Sequence, residues 1–296
     1  MTLANYAPVI TLANATPRLA STLRSTHPGV SARLAVERYA DVTRITMSSF
    51  VGRRFGYDVS AYIVRGMMID SGFPGARRAL EQALGSFDVH GAVITHWHED
   101  HAGNVGLLAE RGIPVALEPE TESTLRACPR IQLYRRLTWG QPPALTAPII
   151  PFEPEGLQFV PTPGHTTDHQ AIWDPESRTL FSGDLWLGVR ARVLHETEDP
   201  YLIIESLRRA LALEPARMFD AHRGLVDRPA DAISLKIDWL SETLGEIERR
   251  ITEGWSDRAI VRDVLGGEEA TGYFSRGDYA RRNLVRAVRL RDSGEG

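Results

Sequence analysis

The sequence predicts a mixed α/β body followed by a helical C-terminal region, and three observations lead there. Short β-branched runs bounded by glycine and proline alternate with helix-period segments as far as about residue 230. Words rich in histidine and aspartate recur at the ends of those runs, where layered α/β folds carry functional side chains. Beyond residue 230 the strand signals stop and helical patterns succeed one another. A chain of 296 residues is long enough for one large core with a small appendage.

In order, residues 1–40 carry weak periodicity and read as an N-terminal extension with partial helical character over Pro17 to Tyr39. VTRITM (42–47), VSAYIV (59–64) and GMMID (66–70) read as successive strands, closed by the turn residues SGFPG. ARRALEQAL (76–84) has helical apolar spacing, and GAVITHWH (91–98) reads as a short buried strand. AGNVGLLAERG is a helix ending at Gly112, IPVALEP a strand, and the proline-rich stretch 129–156 an insertion over the site. LQFVPTPGH, QAIWDP and RTLFSGD follow as strands, then the helix DPYLIIESLRRALALEP and a last strand ARMFDAH. Three helices complete the chain. The expected division is an extension at 1–40, a catalytic domain at 41–230 and a helical region at 231–296.

Composition narrows the function classes. A 43% hydrophobic, 24% charged chain is globular, and no apolar run is long enough to span a bilayer. The N-terminus lacks the basic start and apolar block of a signal peptide, so a cytoplasmic location is expected and the sequon at Asn14-Ala15-Thr16 reads as chance. Cys128 is the sole cysteine, which excludes an intrachain disulfide and a cysteine-rich zinc site. A net charge of −4 gives no drive toward nucleic acid or anionic membrane. Lys236 is the only lysine, so any anion-binding role falls to arginine.

The chemistry concentrates in Thr95-His96-Trp97-His98-Glu99-Asp100-His101. On a strand, His96 and His98 point to one side and meet one metal, and the following turn swings Asp100 and His101 to an adjacent position. The string is not the HExxH motif, because position 102 is alanine. His165 in TPGHTTDH, Asp184 in FSGDLW and His222 in FDAHRG each follow an apolar run. Together they make a set in which His96, His98 and His165 hold one metal, Asp100, His101 and His222 a second, and Asp184 bridges them. Asp70 in MIDSG reads as a turn residue placed to orient a ligand histidine, and His169 as a residue behind the ligands. His27, His90 and His195 read as ordinary satisfied polar residues.

These words resemble the metallo-β-lactamase superfamily, whose HxHxDH signature is matched by His96 to His101 and whose later His, Asp and His are matched by His165, Asp184 and His222. The resemblance covers roughly residues 40 to 228 and implies a four-layer αβ/βα sandwich with a helical C-terminal extension. It implies two divalent metal ions, zinc first with iron or manganese as alternatives, and Asp100 as a catalytic group as well as a ligand. The implied activity is hydrolysis of a small ester, thioester or lactone by a metal-activated water, with low side activity on β-lactams. The bridging aspartate resembles the glyoxalase-II-like branch, although Leu185, Trp186 and Leu187 stand where lactonases of the family place a tyrosine. An iron redox enzyme of the same fold and a phosphodiesterase or nuclease are the rivals. Arg282, Arg286 and Arg289 form a basic stripe in the last helix that reads as a solvated face, so the expected partner is a small molecule rather than nucleic acid or membrane. Residues 231–296 are open to two uses, a homodimer contact or a lid, with Trp255, Tyr273 and Phe274 expected in core packing. Loops 49–58, 129–156 and 185–198 are expected to line the substrate pocket, bringing Phe50, Phe55, Tyr57, Trp139 and Trp186.

Overall fold

The computed structural model of the protein describes residues 22–24 and 32–292. The sequon, the N-terminal segment read as lacking a leader, and His27 lie outside the described residues. Seven strands form a first sheet in chain order: β1 (Thr22–Arg24), β2 (Ala32–Tyr39), β3 (Val42–Ser49), β4 (Val59–Val64), β5 (Met67–Ile69), β6 (Gly91–Val93) and β7 (Val115–Ala116). β1 to β5 pair antiparallel, while β5, β6 and β7 are parallel neighbours. Helix α1 (Phe50–Phe55) joins β3 to β4, α2 (Arg77–Leu84) and α3 (Val105–Glu110) form the crossovers, and α4 (Pro119–Ala127) and α5 (Leu133–Thr138) follow β7.

The second half begins with β8 (Gln158–Pro161), β9 (Gln170–Asp174), β10 (Thr179–Phe181) and the short β11 (Leu194–His195). Helix α6 (Pro200–Ala212) then leads to β12 (Arg217–Asp220) and β13 (Gly224–Val226). Asp199 caps α6, accepting from the backbone N–H groups of Tyr201 and Leu202, with Pro200 at the first helical position. The second sheet has the order β13-β12-β10-β9-β8. Helices α7 (Pro229–Thr252), α8 (Asp257–Val264) and α9 (Ala270–Phe274), strand β14 (Tyr279–Ala280) and α10 (Arg282–Asp292) complete the described chain, and β14 pairs with β11.

The two sheets meet face to face. Val42, Tyr62, Val64, Ile69 and Val93 of the first pack on Ile172, Phe181 and Phe219 of the second. Phe181 and Phe219 stack with centroids 5.5 Å apart, and the Tyr62 ring tilts against both while its hydroxyl donates to the Asp220 carbonyl at 2.6 Å. The other face of β4, with Val59, Ala61 and Ile63, joins the core beneath α2 and α3. That double burial is why VSAYIV reads as an unbroken apolar strand. On the far side, α6, α7, α8 and α10 bury Leu207, Ile233, Leu240, Ile260, Leu284 and Val288 against the second sheet. The result is the expected four-layer α/β/β/α arrangement with helices at the C-terminal end.

Three expectations are corrected. The helical character expected up to Tyr39 gives way, over Ala32–Tyr39, to β2, which pairs along its whole length with β3 and so belongs to the first sheet. Its residues alternate buried and more exposed, a period of two that weak helical periodicity concealed. The strand expected over 91–98 ends at Val93. Thr95 turns its backbone N–H to the Asp70 carboxylate at 2.8 Å instead of to a neighbouring strand, so His96 and His98 lie on a loop. Tyr273 and Phe274 are 76% and 56% exposed rather than packed in a core. Among the described residues no helix is long and apolar enough to cross a membrane.

Because the aromatic stack joins the sheets, Phe219→Ala is expected to cost about 3–5 kcal/mol in denaturant unfolding. A loss below about 1 kcal/mol would show that the seam does not depend on it.

Candidate metal centre

The loop after β6, the β8–β9 and β10–β11 connections, and the turn after β12 converge at one edge of the two sheets. They bring together the seven residues expected to bind metal. His96, His98, His165 and Asp184 place one ligand atom each within 4.8 Å of one another, and so do Asp100, His101 and His222. In the first set, His98 Nδ1 lies 3.0 Å from His96 Nε2 and 2.9 Å from His165 Nε2. Asp184 joins the sets: its Oδ2 is 3.3 Å from His165 Nε2, and its Oδ1 is 3.2 Å from both His101 Nε2 and His222 Nε2. Asp100 Oδ2 stands 3.6 Å from His222 Nε2 and 3.9 Å from His101 Nε2.

The outer nitrogens decide what the inner ones can do. His101 Nδ1 faces Asp70 Oδ2 at 2.8 Å, His165 Nδ1 faces Glu198 Oε1 at 2.5 Å, and His222 Nδ1 faces the Asp58 carbonyl at 2.6 Å. Each partner only accepts, so each Nδ1 carries the proton and each neutral ring turns a lone pair inward. His96 behaves alike: the Thr95 hydroxyl, 3.0 Å from both Asp70 oxygens, donates to that carboxylate and accepts from His96 Nδ1 at 3.0 Å. Four inward lone pairs therefore face one another and a carboxylate. His101 Nε2 and Asp184 Oδ1 are buried without a hydrogen-bond partner among the described residues. Such a set is electrostatically unfavourable unless cations occupy its centre, and its nitrogen-and-carboxylate donors suit a divalent metal ion. The residues fit the metal.

Protons are the alternative cations, and the pKa shifts show them competing. Burial by itself lowers the His222 pKa, but Asp184 and Asp100 override it and hold it at about 9. Burial is likewise outweighed at His101, where Asp184, Asp70 and Asp100 raise the pKa well above the usual value. Burial and the surrounding imidazoles push His96 well below 6.5.

The supporting residues are equally specific. Asp70 sits at φ 59°, a left-handed conformation that favours glycine, and uses it to reach Thr95 and His101 together. His169, driven down to about 3 chiefly by burial, accepts the Asp184 backbone N–H at Nε2, 3.0 Å away, and donates from Nδ1 to the Thr162 hydroxyl oxygen at 2.8 Å. Gly183 is required there: its φ is 51°, and a Cβ would lie 2.7 Å from His169 Nε2. Asp220 accepts from the backbone N–H groups of His222, Arg223 and Leu187, fixing the last ligand turn. Glu99 and Arg135 form a buried ion pair, their side chains 1% and 6% exposed, which locks α5 over the signature loop. The sequence pointed to Asp70 and His169 as supports but not to Glu198, Glu99, Arg135 or the Asp58 carbonyl. His90 is an exposed surface residue, whereas His195 is buried beside the Tyr279 ring with centroids 4.7 Å apart.

Comparison with known proteins agrees with this geometry. The family model described as the metallo-beta-lactamase superfamily matches residues 54–243. The chain belongs to the metallo-beta-lactamase superfamily. The beta-lactamase-like protein 2 homolog of Drosophila melanogaster is 31% identical over 248 residues, 76% of this chain and 80% of that one. The atrochrysone carboxyl ACP thioesterase of Aspergillus fumigatus is 28% identical over 178 residues, 58% of this chain and 51% of its own length. A metallo-beta-lactamase family protein of Thermus thermophilus, at 19% identity, superposes with a TM-score of 0.55 over 93% of this chain and 94% of that structure, which shows the shared fold. As a superfamily member with a full His/Asp donor set, the chain is a metallo-hydrolase.

Two tests follow. Glu198 positions His165 without binding metal, so Glu198→Ala is expected to weaken metal affinity about 10–100-fold in competition with a chelator, while thermal stability of the loaded protein changes little. Unchanged affinity would remove Glu198 from the site. The second concerns pH. His222 has a folded pKa of about 9 against 6.5 unfolded, so its pairing with Asp184 stabilises fully below 6.5 and is lost as pH rises through 9. Chelator-stripped protein should therefore lose thermal stability from pH 6.5 to 9, and the loss should shrink in His222→Ala. A flat or rising wild-type profile would contradict the pairing.

Proposed function

We propose that this metallo-hydrolase works with two divalent ions, zinc in the first instance, on a small ester, thioester or lactone. The observation that supports two ions is the division of Asp184, one oxygen toward His165 and the other toward His101 and His222. Its two oxygens serve two ligand sets, as a bridging carboxylate does. Bound metal would supply Lewis acidity and a water made acidic near neutral pH.

The chain's own residues determine how that chemistry is used. His96 and His101 are fully enclosed, so bulk water is kept from the back of the site. The side chains of His222 and Asp100 are 18% and 10% exposed and mark the open side from which substrate enters. Asp100, the more open carboxylate, accepts a hydrogen bond from the attacking water and takes up its proton. No serine or cysteine nucleophile is involved. Cys128 follows α4, and its thiol is taken by the Pro142 carbonyl.

A small molecule suits the surface better than nucleic acid. The expected basic stripe is largely neutralised, because Arg289 pairs with Asp257 at 2.7 Å and Arg286 lies 3.6 Å from Glu196. The thioesterase among the relatives favours thioesters within the class.

Elemental analysis of protein purified without added metal should find about two ions per chain, and a chelator should abolish turnover on a panel of thioesters, lactones, β-lactams and phosphodiesters. Asp184→Asn should reduce both metal content and turnover. One iron per chain without hydrolysis would favour the redox rival; full activity after metal removal would end the proposal.

A further inference from the structure

We infer that α1, α5 and α9 form an apolar mouth that binds the acyl chain of the substrate, so that the preferred substrates carry a long apolar acyl group. This rests on the hydrolase reading above and names its substrate class. The first observation is where exposed apolar surface lies. Phe50, Tyr57, Leu133, Leu137, Tyr273 and Phe274 are 69%, 38%, 66%, 54%, 76% and 56% exposed. They belong to three chain segments only: α1 with its following turn, α5, and α9. The remaining large exposed apolar residues described, Ile150, Leu202, Leu235 and Leu290, are spread singly over other elements, as is ordinary for a protein surface.

The three segments are far apart in sequence and adjacent in space. α1 packs on α5, the Tyr57 hydroxyl lies 3.3 Å from the Thr271 hydroxyl, and the Tyr134 ring meets Phe274 at 5.9 Å and Tyr279 at 6.4 Å. Each segment is also tied to the metal ligands. The Asp58 carbonyl, closing the turn after α1, holds His222. Arg135 of α5 holds Glu99 inside the signature. Tyr279, just beyond α9, pairs with His195, whose backbone N–H donates to the same Glu198 that orients His165. Tyr57 is next to Asp58, whose carbonyl holds His222, the most exposed of the ligands, so the apolar rim adjoins the open side of the site at that point.

An acyl chain is the occupant that fits. Leu133 and Leu137 stand one helical turn apart and offer an aliphatic strip beside aromatic faces. A second copy of the protein seated here would close the route by which substrate reaches His222 and Asp100.

Titration calorimetry with S-butyl and S-octyl thioethers of N-acetylcysteamine, which carry the chain but no scissile bond, tests this on zinc-loaded protein. Partial burial is expected to tighten binding roughly twofold per methylene, on the order of tenfold between the two compounds. Leu133→Gln with Leu137→Gln, and separately Tyr273→Ser, should cut that ratio severalfold, whereas Leu235→Gln on α7 should leave it unchanged. Equal affinities, no binding of the octyl compound, or a ratio indifferent to the rim variants would overturn the inference. So would a dimer in sedimentation that the rim variants disperse, or salt-sensitive binding of a single-stranded oligonucleotide lost in the same variants. Turnover of the matching acyl thioesters is read separately: failure there with the chain-length ratio intact would count against the hydrolase reading and not against the mouth.

Discussion

A cluster of imidazole lone pairs directed at a buried carboxylate is the constraint around which the structure is organised. Left to themselves, the nitrogens of His96, His101, His165 and His222 would take protons or turn to other partners. The chain prevents the turning by giving each outer nitrogen an accepting partner, whether Asp70, Glu198, the Asp58 carbonyl or the Thr95 hydroxyl already committed to Asp70, while protons still compete for the inner nitrogens of His101 and His222. Polar atoms buried without partners each cost on the order of 1–3 kcal/mol. The fold tolerates that cost because metal binding recovers it, which couples ligand geometry to folding.

That constraint explains why so much of the polar interior lies behind the ligands rather than among them. Asp70 accepts an unfavourable backbone conformation because one carboxylate there satisfies both Thr95 and His101. The same carboxylate ends β6 early by taking the Thr95 N–H. The loop carrying His96 and His98 then owes its shape to a side chain on β5's turn, not to strand geometry. Gly183 plays a comparable part for Asp184, since a side chain there would drive into His169.

The sequence made the ligands legible and left their supports mostly hidden, for a physical reason. The ligands are scarce residue types clustered in short words at strand ends, and the resemblance they carry led to the fold as well. Asp70 and His169 were legible because they lie inside such words. Glu198 sits beside the α6 cap Asp199 in a run of acidic residues, and nothing local distinguishes a carboxylate that faces a ligand from one that faces water. Arg135 is one arginine among many until α5 folds over Glu99. β2 is not legible as a strand because Ala35 blurs the alternation of ARLAVERY, and its identity is settled by pairing with β1 on one side and, in a tight hairpin, with β3 on the other. Trp139 and Trp186, expected in the pocket, are used elsewhere: Trp139 packs on Phe73 at 5.1 Å, and the Trp186 indole donates to Ala232 of α7.

The C-terminal helices follow from the same requirement. An imidazole cage is only as rigid as the loops that carry it, and the loop after Asp184 has no sheet of its own. α7 supplies the missing anchorage. Its buried Lys236, lowered to about 8 by burial, donates to the carbonyls of Trp186 and Gly188. A buried ammonium ordinarily destabilises a core, so its placement against the carbonyls two and four residues beyond Asp184 makes sense as a fixing point for that turn. β14 does the equivalent for β11, and through it for Glu198 and His165. The region from α7 to α10 thus completes the site from behind. A chain cut after His222 would keep all seven ligands in its sequence and lose the surfaces that hold several of them in place.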